Sequence, residues 1–159
     1  MHGICACGAV GVAAAALGRG GVHCHCTTCT RIAGGGAASS VLVPREALTI
    51  TCREDALSGY RSSPNTVRWH CATCHAPIYA DVNDLPELGF FVSAALFEAA
   101  ALAEVRFEHI FVRSVPEWHV IGGDAPRHDA VPPASVLGLP PSPLREANAG
   151  SSPRFVRPA

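Results

Sequence analysis

Apolar and polar residues alternate over several short segments of this chain, and glycine or proline bounds most of them. A period of two places successive side chains on opposite faces of a sheet, so this pattern predicts half-buried β-strands. The clearest case is Leu48–Cys52, which is also rich in β-branched residues. Residues 9–17 give a weaker signal. Further strands are predicted at 37–43, 77–80, 90–94 and 105–112, and 60–70 is predicted to be a hairpin that turns at 63–65.

Helical signals are weak, so the fold class predicted from the pattern is mainly β. Residues 98–103 have a helical composition, but so short a segment is as consistent with a turn. The glycines at 18, 20 and 21 predict a hairpin turn before residue 23. Eight of the thirteen prolines lie from residue 126 onward. We therefore expect one β domain over residues 1–125 and a Pro-rich, loosely ordered tail over 126–159, in which 137–143 is a weaker candidate for binding a partner.

Charge and hydropathy exclude several classes of function. The formal net charge is −1 and charged residues make up 16% of the chain, which does not provide the basic surface that nucleic acid requires. No apolar run is long enough for a membrane span, and the first residues do not resemble a signal peptide. We expect a soluble cytoplasmic protein whose partners are small molecules, with no nucleic acid and no membrane; the oligomeric state stays open.

Seven of the eight cysteines fall into three tight clusters. Such clusters suit zinc, which prefers four ligands in a tetrahedron, whereas four disulfides are the alternative expected of a secreted domain. Four of the sulfurs can make one closed, structural site that clamps the N-terminal strand to the hairpin. The remaining three leave a site one ligand short, as in catalytic zinc centres that bind a substrate or water. The clusters are Cys5 and Cys7; Cys24, Cys26 and Cys29; and Cys71 and Cys74.

The cysteine motifs resemble those of the glutathione-dependent formaldehyde-activating enzyme family, which includes centromere protein V. The matching residues cover roughly 3–125: Cys-x-Cys-Gly at 5–8, Cys-His-Cys-x-x-Cys at 24–29 followed by a basic residue and glycine, Trp-His-Cys-x-x-Cys-x-x-Pro at 69–77, the segments 60–64 and 108–112, and Trp118. The resemblance implies a β-tent of packed antiparallel sheets with zinc knuckles. It also implies a structural zinc on Cys5, Cys7, Cys71 and Cys74, and a catalytic zinc on Cys24, Cys26 and Cys29.

The activity that the resemblance implies is that of a carbon–sulfur lyase, which forms S-(hydroxymethyl)glutathione from glutathione and formaldehyde. Arg31, Arg61 and Arg68 are the candidates for the two carboxylates of glutathione, because arginine pairs carboxylates bidentately. A non-catalytic zinc scaffold that presents a protein-interaction surface is the alternative function.

The chain departs from the family pattern at two positions. His75 stands where a glycine is usual after the second knuckle, so the turn there is expected to be distorted. Thr30 stands where a basic residue is usual, and Arg31 follows it. Three further residues stay open: Cys52 is expected to be a buried free thiol, His25 to point away from the ligands, and His109 to be either a strand residue or part of the site.

Overall fold

A computed structural model describes residues 1–18, 20–133, 136–137 and 152–157. The mainly β prediction is confirmed: within these residues, twelve strands form one four-stranded and one eight-stranded sheet. The strands are β1 (His2–Ile4), β2 (Val10–Ala14), β3 (Gly20–Cys24), β4 (Ala38–Val43), β5 (Leu48–Cys52), β6 (Leu57–Ser63), β7 (Thr66–Cys71), β8 (Pro77–Val82), β9 (Phe90–Ser93), β10 (Arg106–Ile110), β11 (Arg127–His128) and β12 (Arg154–Val156).

The helical segments are short. In the part of the chain that the structure describes, one α-helix, α1 (Thr27–Ala33), follows β3, and the remaining helical turns are of the 3₁₀ type. The segment 98–103 contains one of these, because a stretch this short does not sustain α-helical hydrogen bonding. The 3₁₀ turns are Arg45–Ala47, Pro86–Leu88, Ala94–Leu96, Ala99–Leu102 and Val112–Ser114. No helix among the described residues is long and apolar enough to cross a membrane.

The strand pairing is mostly antiparallel, but both sheets are mixed. The orders are β1-β2-β5-β12 and β11-β10-β3-β4-β9-β8-β7-β6. Three pairs are parallel, namely β3 with β10, β10 with β11, and β5 with β12. Each parallel pair joins strands that a hairpin cannot connect, so a sequence pattern that reveals only local turns does not predict it.

One face of the eight-stranded sheet packs against the four-stranded sheet and forms the larger core. Val41, Phe90 and Val92 from one sheet and Val10 and Ile50 from the other are completely buried there. The opposite face of the large sheet carries a second, smaller core that includes Val22, Leu42 and Ile110, together with two cysteines. Because side chains alternate along a strand, neighbouring residues of the large sheet point to opposite faces and so join different cores.

The turn predicted at the glycines before residue 23 is wrong, because Gly20 and Gly21 begin β3. A Cβ atom on Gly21 would lie 2.6 Å from the Phe107 ring, and one on Gly20 would lie 2.2 Å from the carbonyl oxygen of Leu137. Glycine is needed here for close packing, not for a turn. The turn of the β6–β7 hairpin falls at residues 64–65, within the predicted 63–65.

The chain after residue 125 contributes to both sheets. β11 pairs with β10, β12 pairs with β5, and Leu137 is buried in the smaller core. The domain boundary at 125 stays a prediction. Most of the expected loose tail, including residues 138–143 of the candidate partner-binding segment, lies outside the described residues.

Candidate metal centres and active-site cavity

The first cysteine group joins the two sheets. Cys5 and Cys7 lie in the turn between β1 and β2 of the small sheet, while Cys71 ends β7 of the large sheet and Cys74 lies in the turn to β8. The four Sγ atoms lie within 4.8 Å of one another. Two of the separations, Cys5 to Cys7 and Cys7 to Cys71, are 3.6 Å. Tetrahedral zinc with bonds of ~2.3 Å needs sulfurs about 3.8 Å apart, so this donor set fits a closed zinc site.

Local backbone geometry supports both turns of this group. Gly8 has φ +81° and His75 has φ +59°, so each turn contains a residue in the left-handed region. The expected distortion at His75 is therefore absent: histidine adopts the conformation that glycine favours, and its backbone N–H still donates to the Cys71 carbonyl at 3.0 Å. The backbone N–H of Ala76 lowers the pKa of Cys74 to about 6, which favours the thiolate that metal binding requires.

The second group lies at the junction of β3 and α1, on the opposite face of the large sheet. Cys24 ends β3, Cys26 is the N-cap of α1, and Cys29 lies within the helix. The Cys26 sulfur accepts a hydrogen bond from the backbone N–H of Cys29 at 3.4 Å. The helix ends at Gly34, which has φ +64° and donates its N–H to Thr30. This short helix was not predicted from the sequence.

The three sulfurs form an incomplete donor set. They lie within 4.8 Å of one another, and no fourth His, Cys, Asp or Glu joins them in the part of the chain that the structure describes. Contacts with the Cys24 and Cys29 thiols lower the pKa of Cys26 far below its usual range, while the contact with Cys26 raises the pKa of Cys24. These contacts favour a thiolate within the cluster, and the donors fit zinc with one position left for another ligand.

Arg68 is the predicted arginine that reaches this cluster. Its Nη2 donates to the Cys29 sulfur at 3.5 Å, and its Nε donates to the Ser62 hydroxyl at 2.9 Å. Arg31 is exposed near the end of α1, and Arg61 donates to the carbonyl of Pro64 within the hairpin turn. The contact between Arg68 and the Cys29 sulfur was not predicted, because it depends on the long-range pairing that brings β7 beside the three cysteines.

Two cavities open beside the three-cysteine group. The smaller cavity has a volume of about 290 Å³, and all three cysteines of the group line it. The larger cavity has a volume of about 440 Å³, and of the three cysteines only Cys29 lines it. Arg68 and Phe91 line both cavities, whereas neither Arg31 nor Arg61 lines either. Carboxylate binding by Arg31 and Arg61 stays a prediction.

Phe111 is a site residue that the sequence did not single out for a role. It lines the smaller cavity and has φ +58°, which is rare for a bulky residue. A backbone held in this region costs free energy of order 1–3 kcal/mol and is retained only where the surroundings enforce it. The signal available in the sequence was its place in the segment 108–112, which matches the family pattern.

Neither His25 nor His109 joins a sulfur group. His25 is fully buried, with Nδ1 2.7 Å from the Gly36 carbonyl and Nε2 2.9 Å from Nδ1 of His109. Because a carbonyl only accepts, Nδ1 of His25 carries the proton, and a neutral His25 then accepts from His109. Burial lowers the pKa of His109 to about 4. His25 therefore points away from the ligands, as predicted, and His109 is a structural partner of His25.

Cys52 is a buried free thiol, as predicted. It is buried in the larger core and belongs to neither sulfur group. All eight cysteines are free thiols, so the disulfide alternative does not describe this structure.

Comparisons with known proteins agree with this geometry. Residues 1–114 match the model of the glutathione-dependent formaldehyde-activating enzyme family. No curated protein matches the chain. A crystal structure of a Rhodobacter sphaeroides protein is 23% identical, with a TM-score of 0.51, over 67% of this chain and 99% of that one. At this identity the similarity supports the fold alone. The matched segment includes every clustered cysteine, and the chain therefore belongs to the glutathione-dependent formaldehyde-activating enzyme family.

Proposed function

We propose that the chain is a zinc-dependent carbon–sulfur lyase that forms and cleaves S-(hydroxymethyl)glutathione. The observation that carries this proposal is the three-sulfur group, which lacks a fourth protein donor among the described residues and lines a cavity. A closed, purely structural site would have no need of an adjoining cavity. The family supplies glutathione and formaldehyde as the substrate pair.

Zinc held by Cys24, Cys26 and Cys29 would supply the positive charge that makes a substrate thiol a thiolate at neutral pH. The remaining steps depend on the chain's own residues. Arg68 lies at the wall between the two cavities, so its guanidinium can pair with a carboxylate of glutathione while it contacts Cys29. The Ser62 hydroxyl fixes the direction of that guanidinium.

The proposed reaction balances without a redox partner. The thiol S–H bond breaks and releases a proton, the sulfur lone pair forms a bond to the carbonyl carbon, the π pair of the C=O bond moves to oxygen, and that oxygen takes up one proton, so no net proton is gained or lost. In the reverse reaction the hydroxyl group loses a proton, the carbon–sulfur bond breaks, and the sulfur takes up a proton. The protein contributes mainly by holding the two reactants in contact, which can account for a large part of a rate enhancement.

A location in the cytoplasm is part of this proposal. Eight free cysteines, seven of them in metal-type clusters, are typical of a reducing compartment. The net charge of −1 also suits a protein whose partners are small molecules rather than nucleic acid.

The test combines metal content with catalysed exchange, because thiols add to formaldehyde without a catalyst. Zinc per chain is measured for the wild type, for Cys26→Ala and for the matched control Cys52→Ala, whose thiol lies outside both sulfur groups. NMR exchange spectroscopy then compares the rate at which S-(hydroxymethyl)glutathione exchanges with and without each protein.

We expect two zinc ions and accelerated exchange in the wild type and in Cys52→Ala. Cys26→Ala should retain one zinc ion and lose the acceleration. One zinc ion in all three proteins, with exchange at the uncatalysed rate, would contradict the proposal and leave a zinc-clamped scaffold that presents a surface to protein partners.

A further inference from the structure

The lining of the larger cavity follows β7 away from the three-cysteine group. Cys29 and Arg68 line the cavity where the Arg68 guanidinium contacts the Cys29 sulfur at 3.5 Å. His70 lies two residues further along the strand, so it shares the face of Arg68 at a distance of roughly 6.6 Å along the backbone. His75, in the turn before β8, lines the same cavity. The cavity therefore connects an arginine beside the sulfurs with a pair of imidazole rings beyond it.

The rings of His70 and His75 have hydrogen-bonding capacity that the protein does not use. Their centroids lie 6.2 Å apart, with an angle of 38° between the ring planes. In the part of the chain that the structure describes, neither imidazole has a hydrogen-bond or ion-pair partner. Each ring carries an N–H donor even when it is neutral, so a carboxylate that accepts bonds of ~2.8 Å from both rings is compatible with this separation.

The backbone at His75 supports a role for its side chain. Its φ of +59° is unfavourable for a residue with a Cβ atom, and such conformations are concentrated at functional sites. The turn itself uses only the backbone N–H, which donates to the Cys71 carbonyl at 3.0 Å and which glycine would also provide. The requirements of the turn therefore do not explain the imidazole, which is exposed and lines the cavity.

Glutathione has the shape that this arrangement requires. Its thiol lies on the central residue and its two carboxylates lie at opposite ends, with the γ-glutamyl arm longer than the glycyl arm. Arg68 contacts the Cys29 sulfur, so it is placed for the carboxylate of the shorter arm. The carboxylate of the longer arm needs partners further from the sulfurs, because a carboxylate without partners is unfavourable in a cavity. A volume of about 440 Å³ is typical of sites for molecules of this size.

We infer that His70 and His75 bind the α-carboxylate of the γ-glutamyl residue of glutathione and make the chain selective for thiols that carry this group. The inference rests on the proposed function, because it places the glutathione sulfur at the three-cysteine group. The γ-glutamyl arm then lies along β7 in the larger cavity, and the glycyl carboxylate pairs with Arg68. Hydroxyl groups on the wall of the same cavity offer acceptors to the ammonium group of this arm, namely those of Ser40, Tyr60 and Ser93.

A binding experiment without aldehyde tests the inference. The two probes are glutathione and an analogue with γ-aminobutyryl in place of the γ-glutamyl residue, which lacks only the α-carboxylate. Isothermal titration calorimetry measures the affinity of the zinc-loaded protein for each probe in the presence of a phosphine reductant. We expect the wild type to bind glutathione about tenfold more tightly than the analogue, since hydrogen bonds to a charged group are among the stronger ones. A ratio near one would overturn the inference.

Variants at the two histidines locate the carboxylate. His75→Gly removes one ring and suits the positive φ at this position, and His70→Ala removes the other ring. Each should lower the ratio of the two affinities at least threefold, and His75→Gly decides the test if His70→Ala loses zinc. The matched control is His2→Ala, an exposed histidine on β1 that lines neither cavity, and it should keep the wild-type ratio. A purely structural effect would weaken both probes alike, and the unchanged ratio would contradict the inference.

The inference and the proposed function fail in different ways. Exchange spectroscopy with glutathione and formaldehyde reports on the function. Accelerated exchange, together with a wild-type ratio near one or a ratio that His75→Gly does not lower, overturns the inference and leaves the function intact. Exchange at the uncatalysed rate overturns the function, and a carboxylate preference that His75→Gly lowers would then keep the two histidines as a binding site for a γ-glutamyl thiol. Neither acceleration nor preference overturns both.

Discussion

His75 provides a direct test of how the second cysteine knuckle is built. Its φ of +59° lies in the left-handed region, its side chain is exposed, and its backbone N–H completes the turn by bonding to the Cys71 carbonyl. The perturbation is a pair of substitutions at this one position, His75→Gly and His75→Ala. Both remove the ring, which lies 6.2 Å from that of His70, and both keep the backbone hydrogen bond.

The expected magnitude follows from the backbone. A residue with a Cβ costs roughly 1–2 kcal/mol in the left-handed region. Glycine avoids that cost but loses roughly 0.5–1 kcal/mol more through the conformational freedom of its unfolded chain. His75→Gly should therefore raise the free energy of unfolding by about 0.5–1 kcal/mol relative to His75→Ala. For a chain of this size, that corresponds to a rise in Tm of about 1–4 °C.

The assay is thermal unfolding followed by circular dichroism at a fixed excess of zinc, with zinc per chain measured first. Equal metal content in the two variants is the control, since loss of the ion would change stability by far more than the backbone does. At a position with negative φ the order would be reversed, with alanine the more stable. A Tm for His75→Gly equal to or below that for His75→Ala would therefore refute the interpretation of this turn.

Three further predictions concern the clamp (the group of Cys5, Cys7, Cys71 and Cys74), a buried ion pair and pH. Cys71→Ala should unfold the domain, because the structural zinc proposed for its group would contribute ~10 kcal/mol or more, while Cys52→Ala in the same core should stay folded by circular dichroism. Asp81→Ala removes a carboxylate that pairs with the buried Arg45 guanidinium and should lower the free energy of unfolding by ~3 kcal/mol in urea titrations, against no change if the pair contributes nothing. Burial holds the pKa of His109 at about 4, below the 6.5 of the unfolded chain, so stability should fall as pH drops from 6.5 toward 4. His109→Gln should therefore show a smaller loss of Tm between pH 7 and pH 5 than the wild type. Equal losses in the two proteins would assign the effect to other groups.

The sequence predicts the parts of this molecule that depend on local pattern. The strand Leu48–Cys52 is at the predicted place because alternation and β-branching act within five residues. The two sulfur groups also follow from spacing, since a Cys-x-x-Cys or Cys-x-Cys turn brings its own sulfurs together. The grouping of Cys5 and Cys7 with Cys71 and Cys74 was predicted from two knuckle motifs that each lie on a turn beside a strand, and the family resemblance implies the same set.

What the sequence does not predict depends on distant contacts. The α-helix Thr27–Ala33 has only seven residues, too few for a visible period, and it is defined instead by the Cys26 cap and by Gly34. The strand that begins at Gly20 exists because β10 pairs with it in parallel and the Phe107 ring fills the space above Gly21. Neither β10 nor Phe107 is near Gly20 in the sequence, so the sequence alone does not show that these glycines lie in a strand. Glycines are common in turns, and a turn was therefore predicted there.

The strand β7 links the two sulfur groups, because it carries one residue that contacts the three-cysteine group and one residue that belongs to the clamp. It carries Arg68, which contacts the Cys29 sulfur, and three residues later Cys71, a member of the clamp. Because side chains alternate, these two residues face opposite sides of the sheet, so the clamp holds the end of the strand without entering the cavity. We expect loss of the clamp to shift the end of β7 and, with it, Arg68. An activity lost on removing a clamp cysteine therefore does not by itself make that cysteine catalytic, and substitutions at Cys24, Cys26 or Cys29 are the more direct test of the proposed reaction.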